Sequence, residues 1–275
     1  MPPTVILIRH AQALHNYSIP DPPLSSPLGF EKQCTELQEA LKSDPIAQKA
    51  ELIVISPMRR TLQTAQQGLG FLIDRRVPVI LRAEWQENSD KPCDTGSPIP
   101  IISREFPDFD WSAVDPVWPS KTGLYRFSRE GLTERGVMAK EWLRSRPEKV
   151  IVVVSHSGFL RVGVSHKGYY NADYRIFEFG EGEKEGDLVE LEVTEKNGGG
   201  LGKSNYGTYY LGPGMQTFNF FLVDSCYKVV HGVEALWQSR KRKKDADGAL
   251  VGDYPSDADT ATPVEEAAGE ENGGK

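Results

Sequence analysis

Cysteine is scarce in this chain and scattered along it. Only three of the 275 residues are cysteines, namely Cys34, Cys93 and Cys226. An odd, sparse set excludes a disulfide scaffold and is typical of a reducing compartment, which predicts a cytoplasmic location. No run reaches the roughly 18 apolar residues of a membrane-spanning helix, so no membrane partner is expected. The first residues also lack the basic and apolar segments of a secretory signal.

Net charge is small over most of the chain. The formal total of −7 comes from the last segment, because residues 245–275 hold nine acidic residues and one lysine. The preceding residues are nearly neutral, which excludes a general affinity for nucleic acid. The acidic tail has few large apolar side chains and is predicted to be disordered.

A five-residue basic run, residues 240–244, precedes the acidic tail. It fits either a solvated junction or a nuclear-import signal, so the nucleus is a second candidate location. We predict one domain over residues 1–237, and the basic run with the tail over residues 238–275. Nothing in the sequence indicates the oligomeric state.

Short apolar runs alternate with helical periodicity in the first two thirds of the chain. The non-alternating runs, which predict strands buried on both faces, are residues 5–8, 52–55, 79–81 and 150–154. The helical patterns are residues 30–41, 58–72 and 133–146, and further strand-like runs are residues 174–179, 188–193 and 217–223. This order predicts an α/β fold: a three-layer α/β/α sandwich with a mostly parallel central sheet. Ser56 is the predicted N-cap of the second helix.

Residues 88–132 interrupt this alternation. They are rich in proline, glycine, aspartate and tryptophan and are too long for a plain connection, which predicts a cap insertion. Arg104, Lys121 and Arg126 within it are candidates for binding a second anionic group. Asp108–Ser112 superficially matches the motif of aspartate-based phosphatases, but no buried strand precedes it, so we predict a turn.

Polar side chains follow the predicted strands where each strand ends. In chain order they are Arg9-His10, Ser56 with Arg59-Arg60, Glu84 with Glu87, and Ser155-His156-Ser157-Gly158. Because the carboxyl ends of parallel strands meet at one edge of a sheet, we expect these groups to converge. Arginine forks bind phosphoryl oxygens, a neutral imidazole can attack phosphorus, and a carboxyl group can protonate the departing oxygen. The set predicts a phosphoryl-transfer site.

Motifs of other phosphatase chemistries are missing. Six residues beyond the cysteines stand Ala40, Ile99 and Gly232, so the Cys-x5-Arg motif is absent. The Gly-x4-Gly-Lys phosphate loop, His-Glu-x-x-His and paired Cys-x-x-Cys are also absent. We therefore expect neither a metal ion nor another cofactor.

Three segments resemble, in order, the motifs of the histidine phosphatase superfamily, also called the phosphoglycerate mutase-like family. Leu7–Asn16 resembles its Arg-His-Gly block, Ser56–Ala65 its Ser-x-Leu-x-Arg-Ala-x-x-Thr-Ala block, and Val154–Gly158 its Ser-His-Gly-Gly block. The resemblance spans about residues 4–165. Ala11 and Ser157 stand where the family has glycine, and both are small enough for a close backbone approach.

The resemblance implies a role for each matching residue of the phosphate pocket. His10 would be the nucleophile that becomes phosphorylated. Arg9, Arg60 and His156 would complete the pocket around the phosphoryl group, and Asn16 would line it.

The resemblance also implies a proton donor and further substrate contacts. Glu87 best matches the family's donor glutamate, with Glu84 as the alternative. The backbone at Ser157 would meet a phosphoryl oxygen. Either Ser25 or Ser26 would correspond to the substrate-contacting residue of a Leu-Thr-x-x-Gly block.

These implications favour a phosphomonoester hydrolase that acts on a small phosphorylated metabolite or sugar phosphate. A phosphoglycerate-type mutase is the first alternative, although the cap lacks the basic insertion of the dedicated mutases. The second alternative is a non-catalytic regulatory module that retains the fold.

Overall fold

The computed structural model describes residues 1–13, 27–182 and 186–204, which build a six-stranded sheet flanked by helices. The strands are β1 (Thr4–Arg9), β2 (Leu52–Ile55), β3 (Val79–Leu81), β4 (Val150–Ser155), β5 (Tyr174–Phe179) and β6 (Leu188–Glu190). The α-helices are α1 (Pro27–Ser43), α2 (Arg59–Gly68), α3 (Gly70–Asp74), α4 (Ile99–Glu105), α5 (Arg129–Arg144), α6 (Ser157–Phe159) and α7 (Glu192–Glu195). Asn16, Ser25, Ser26, the predicted strand at 217–223 and the tail lie outside the described residues. None of the described helices is long and apolar enough to cross a membrane.

The sheet has the strand order β3-β2-β4-β1-β5-β6. The first four strands in this order run parallel to one another, whereas β5 and β6 are antiparallel to their neighbours. The predicted α/β class with a mostly parallel sheet is therefore confirmed. Arg9 pairs with Ser155 in the register, and Ile55 pairs with Val154, so three carboxyl strand ends lie side by side.

Both faces of the sheet are covered, which explains why its strands do not alternate in polarity. Ile6 and Ile8 of β1 belong to a core that includes residues of α1 and α2. Val5 and Leu7, which point to the other face, belong to a second core with residues of α5 and α6. All four side chains are fully buried. The helix layers thus fix the sheet edge at which the polar strand-end residues meet.

The second helix differs from its prediction at both ends. It begins at Arg59 with Met58 as N-cap, and the prediction that Ser56 caps it was wrong. The Ser56 hydroxyl instead lies 2.9 Å from Nε2 of His156. The helix also breaks at Leu69, between two glycines, where α3 takes over.

The last described strand is shorter than predicted. The apolar run at 188–193 forms β6 only as far as Glu190, and Leu191 then begins the turn into α7. The hydroxyl of Thr194 accepts a hydrogen bond from the Ile176 backbone N–H at 3.1 Å. The Thr194 hydroxyl therefore accepts the β5 backbone N–H that a backbone carbonyl of a longer β6 would have accepted.

Residues 88–128 form irregular structure and short helices, including α4, that pack on the same side of the sheet as α1 and α2. Phe106, Phe109 and Trp118 are buried in that core. Arg59 of α2 donates to both carboxylate oxygens of Glu105, at 2.8 and 2.6 Å, which ties α4 to α2. The predicted turn at Asp108–Ser112 is present, with the Asp110 carboxylate accepting from the Ser112 N–H at 2.9 Å.

Candidate active site

His10 directly follows β1 and is 2% exposed. Its Nδ1 lies 2.7 Å from the carbonyl oxygen of Ala11, which can only accept a hydrogen bond, so Nδ1 carries the proton. Nε2 accepts a hydrogen bond from Nε of Arg60 at 3.2 Å. The lone pair of Nε2 therefore faces Arg60, and it can act as a nucleophile once that hydrogen bond is released.

His156 has the opposite tautomer. It directly follows β4 and is fully buried. Its Nδ1 accepts a hydrogen bond from Nε of Arg60 at 3.1 Å, so in the neutral ring Nε2 carries the proton and donates to the Ser56 hydroxyl. The rings of His10 and His156 lie 5.1 Å apart, tilted by 58°. One arginine N–H is thus shared between two imidazoles.

Arg60 lies in the first turn of α2 and is 8% exposed. Besides the histidines, its guanidinium donates to the carbonyl of Cys93 at 2.7 Å and to Oδ1 of Asp94 at 3.2 Å. Burial lowers the pKa of the Arg60 guanidinium, and the negative charges of Asp94 and Glu87 partly offset that effect. Arg60 therefore links the histidines to residues 88–128.

Arg9 supplies a second, half-buried arginine at the same edge. It donates to the carbonyl of Tyr169 at 2.9 Å, while its buried Nε has no hydrogen-bond partner among the described residues. Burial lowers its pKa to about 10, opposed by the charge of Glu87 and reinforced by those of Arg60 and Arg161. An unpartnered N–H in a cationic pocket favours binding of an anion.

Glu87 lies against the turn that follows His156. Its carboxylate accepts hydrogen bonds from the backbone N–H groups of Phe159 at 2.9 Å and Gly158 at 3.2 Å. The Ser155 hydroxyl donates to the carbonyl of Trp85 at 2.7 Å, which holds the preceding segment on the end of β4. The backbone N–H groups of α6 thus hold the Glu87 carboxylate beside the predicted phosphate pocket.

Glu84, the alternative donor, is engaged elsewhere. Its carboxylate forms an ion pair with Arg82, whose guanidinium lies 4.3 Å from the ring of Trp142 on α5. Glu87 acts electrostatically on both Arg9 and Arg60. The geometry therefore places Glu87, rather than Glu84, with the arginines of the site.

Ser157 is the first residue of α6 and follows His156 directly, so its backbone lies at the end of β4 beside the pocket. Of the cap cations, Arg126 is paired with Glu134, and Arg104 is exposed. Lys121 alone reaches Glu87, because its ammonium group donates to the Glu87 carbonyl at 2.9 Å.

Three supporting residues were not found from the sequence. The Thr64 hydroxyl accepts the Ala11 N–H at 3.0 Å and donates to the Arg60 carbonyl at 2.7 Å, which joins the His10 loop to α2. Thr64 stands four residues after Arg60, a spacing that places both on one helix face and could have indicated it. Cys93 and Asp94 lie in a single turn of 3-10 helix, Pro92–Asp94, which is too short to give a periodic signal.

The described residues include no group of three or more His, Cys, Asp and Glu side chains that could hold a metal ion. The side chains brought together here are two imidazoles, two guanidinium groups and a carboxylate. This donor set is suited to binding and transferring an anionic oxygen-rich group.

Comparison with known proteins agrees with this chemistry. Residues 5–196 match the model of the histidine phosphatase superfamily (branch 1), and the chain therefore belongs to that superfamily. The family predicted from the three motifs is thus confirmed.

Each of two curated relatives matches a little over half of the chain. A Schizosaccharomyces pombe protein named "Probable phosphatase" is 32% identical over an alignment of 168 residues that covers 58% of this chain and 76% of the relative. An Arabidopsis thaliana "Phosphoglycerate mutase-like protein" is 30% identical over 198 residues, covering 57% of this chain and 72% of the relative. A solved alpha-ribazole phosphatase from Shigella flexneri is 20% identical with a TM-score of 0.41, covering 68% of this chain and 95% of that one.

Proposed function

We propose that this protein is a phosphomonoester hydrolase that works through a phosphohistidine on His10. The observation that carries the proposal is the convergence of His10 Nε2 and His156 Nδ1 on one buried N–H of Arg60, at 3.2 and 3.1 Å. Membership of the histidine phosphatase superfamily supports the same chemistry.

In the first half-reaction, the Nε–H of Arg60 moves from His10 Nε2 to a phosphoryl oxygen. The freed lone pair of Nε2 then forms a bond to phosphorus as the bond to the leaving oxygen breaks. Glu87, entering as the carboxylic acid, gives its proton to that oxygen. Oε2 is the better-placed donor atom, because it makes only the longer contact to Gly158, whereas Oε1 accepts from Asn88 and Phe159. The products are a free alcohol and a phosphorylated imidazole.

In the second half-reaction, the Glu87 carboxylate takes a proton from water as that water attacks phosphorus. The nitrogen–phosphorus bond breaks, and inorganic phosphate leaves with His10 restored. Arg9 and Arg60 stabilise the charge on the phosphoryl oxygens in both transition states. The backbone N–H at Ser157 would add a further donor at the helix start.

The proposed substrate is a small phosphorylated metabolite, with sugar phosphates included. The phosphatase name of the fission-yeast relative supports hydrolysis. Net hydrolysis is favoured over a mutase reaction because residues 88–132 are rich in proline, tryptophan and aspartate and lack the basic insertion of the dedicated mutases.

The test is release of phosphate from an aryl phosphate by the full chain, with and without a chelator, followed by quenching in detergent at alkaline pH to trap phosphoenzyme. We expect turnover that survives chelation and an acid-labile, alkali-stable phosphoenzyme. His10→Ala is expected to lower turnover by about a thousandfold or more and to trap no phosphate. Equal rates for the two proteins would contradict the proposal.

A mutase would give a different pattern in the same experiment. It would transfer the trapped phosphate to an added hydroxyl acceptor faster than to water. We expect the phosphoenzyme to decay at the same rate with and without a sugar or hydroxy-acid acceptor. A panel of phosphorylated metabolites then identifies the preferred leaving group.

A further inference from the structure

The guanidinium of Arg60 is held from two sides. Its Nε lies against the two histidines, and its two terminal nitrogens donate to the Cys93 carbonyl and to Oδ1 of Asp94. Cys93 and Asp94 belong to the loop that follows β3, 33 and 34 residues away in sequence. Arg60 and Asp94 side chains are only 9% and 19% exposed, so the pair is largely shielded from water.

The Asp94 carboxylate is itself fixed by its own loop. Its other oxygen, Oδ2, accepts a hydrogen bond from the Ser89 hydroxyl at 2.6 Å. The Asp94 backbone N–H donates to the Lys91 carbonyl at 2.9 Å, which closes a turn. Both carboxylate oxygens therefore have a defined partner, and the group has little freedom to leave Arg60.

We propose that Asp94 is a positioning residue that holds the guanidinium of Arg60 against His10 and His156, where its Nε–H can pass from the imidazoles to a phosphoryl oxygen. Arginine has a long side chain with many rotamers, and its planar fork is effective only when it is oriented in advance. The Asp94 carboxylate and Cys93 carbonyl bind the end of the fork and leave its Nε edge facing the imidazoles. The inference rests on the proposed function, because Arg60 acts there on the phosphoryl group.

This arrangement predicts which kinetic constant changes when the Asp94 carboxylate is removed. Arg9 and His156 also contact the phosphate pocket, so ground-state binding has other contributors. The orientation of Arg60 matters most when charge develops on the transferring phosphoryl group. Loss of Asp94 is therefore expected to lower kcat far more than it changes KM.

The experiment compares Asp94→Ala and Asp94→Asn with Asp90→Asn in the full chain. Asp90 is the matched control, because it lies four residues away in the same loop and its side chain is exposed. With an aryl phosphate, we expect Asp94→Ala to lower kcat by about 10- to 100-fold with KM within about threefold. Asp94→Asn keeps an oxygen acceptor for Arg60 and should lose less, whereas Asp90→Asn should match the wild type.

A second measurement does not depend on turnover. The ring ¹⁵N chemical shifts of His10 and His156 report the hydrogen bonds from Arg60. We expect both sets to move in Asp94→Ala and to stay unchanged in Asp90→Asn. Should Asp94→Ala fail to fold, Asp94→Asn is judged by the same two measurements.

The kinetic constants and the histidine ¹⁵N shifts together distinguish failure of the proposed function from failure of the positioning role. If the wild type does not release phosphate but the histidine shifts move in Asp94→Ala, the proposed function fails and the positioning role stands. If the wild type is active and Asp94→Ala matches Asp90→Asn in kcat and in both sets of shifts, the positioning role is overturned. A rise in KM without a fall in kcat would also overturn it, since that result indicates a substrate contact.

Discussion

The carboxylate of Glu87 occupies the space that a side chain at residue 158 would need. A Cβ built on Gly158 would lie 2.3 Å from Oε1 of Glu87, well inside van der Waals contact. Because Gly158 has no Cβ, the carboxylate can approach and accept the N–H of Phe159 at 2.9 Å. The glycine that follows Ser157 therefore determines where Glu87 stands.

Gly158→Ala should displace Glu87 without changing any ionisable group. We expect kcat for an aryl phosphate to fall by about 10- to 100-fold, since a shift of about 1 Å in a catalytic group has effects of that size. Gly70→Ala is the matched control, because its nearest neighbour would lie 4.0 Å from the added Cβ. Wild-type kcat in Gly158→Ala would show that the carboxylate position does not matter.

The choice between the two glutamates can be tested through the leaving group. Glu87→Gln should slow release of alkyl alcohols by about 100-fold or more, and release of nitrophenol much less, because nitrophenolate departs without a proton. Glu84→Gln is the control and should behave as the wild type for both. Steady-state kcat for the two substrates gives the comparison. A larger, leaving-group-dependent loss in Glu84→Gln would make Glu84 the donor.

The arrangement of the site followed from the sequence because parallel strands impose it. Once four apolar runs are assigned to one parallel sheet, their carboxyl ends share an edge, and His10 and His156 are expected at that edge. The same reasoning brings Arg60 to that edge, since it follows β2 by one helical turn. The structure adds that β1 and β4 are neighbours, which brings the two rings to 5.1 Å.

The contacts from residues 88–128 could not be found in this way. Asp94 contacts Arg60, which is 34 positions away in sequence, from a single turn of 3-10 helix, and no periodic pattern encodes such a contact. The N-cap error at Ser56 has a related cause: its hydroxyl is engaged with His156, a tertiary contact that local capping preference cannot anticipate. At Ser56 the hydrogen bond to His156 therefore outweighs the preference of serine for a helix N-cap.

Removal of the Ser56 hydroxyl tests that contact. Ser56→Ala leaves the Nε2–H of His156 without its acceptor, which should cost about 1 kcal/mol of unfolding free energy. A loosened His156 should also lower kcat by about tenfold. Denaturant unfolding and aryl phosphate turnover measure the two effects. Ser43→Ala, at the exposed end of α1, is the control, and equal kcat values in the two variants would mean that the hydroxyl does not orient His156.

Lys121 predicts a pH dependence of stability. Burial lowers the pKa of its ammonium group from 10.5 to about 8, with a further contribution from Arg135. Between about pH 8 and 10.5 the unfolded chain therefore binds more protons at this position than the folded chain. Stability from this group rises with pH across that window, because the buried charge has been lost in the folded state.

Lys121→Met removes the buried charge. Relative to the wild type, the variant should therefore have its highest unfolding free energy near pH 7, where the wild-type ammonium group is still protonated. The difference in unfolding free energy between variant and wild type should therefore shift against the variant as the pH rises from 7 to 10. Measuring this difference cancels the titration of other groups, which both proteins share. Lys149→Met at an exposed position should show no such trend. A pH-independent difference for Lys121→Met would mean that the ammonium group remains protonated in the folded protein throughout, and that the anionic groups near it outweigh its burial.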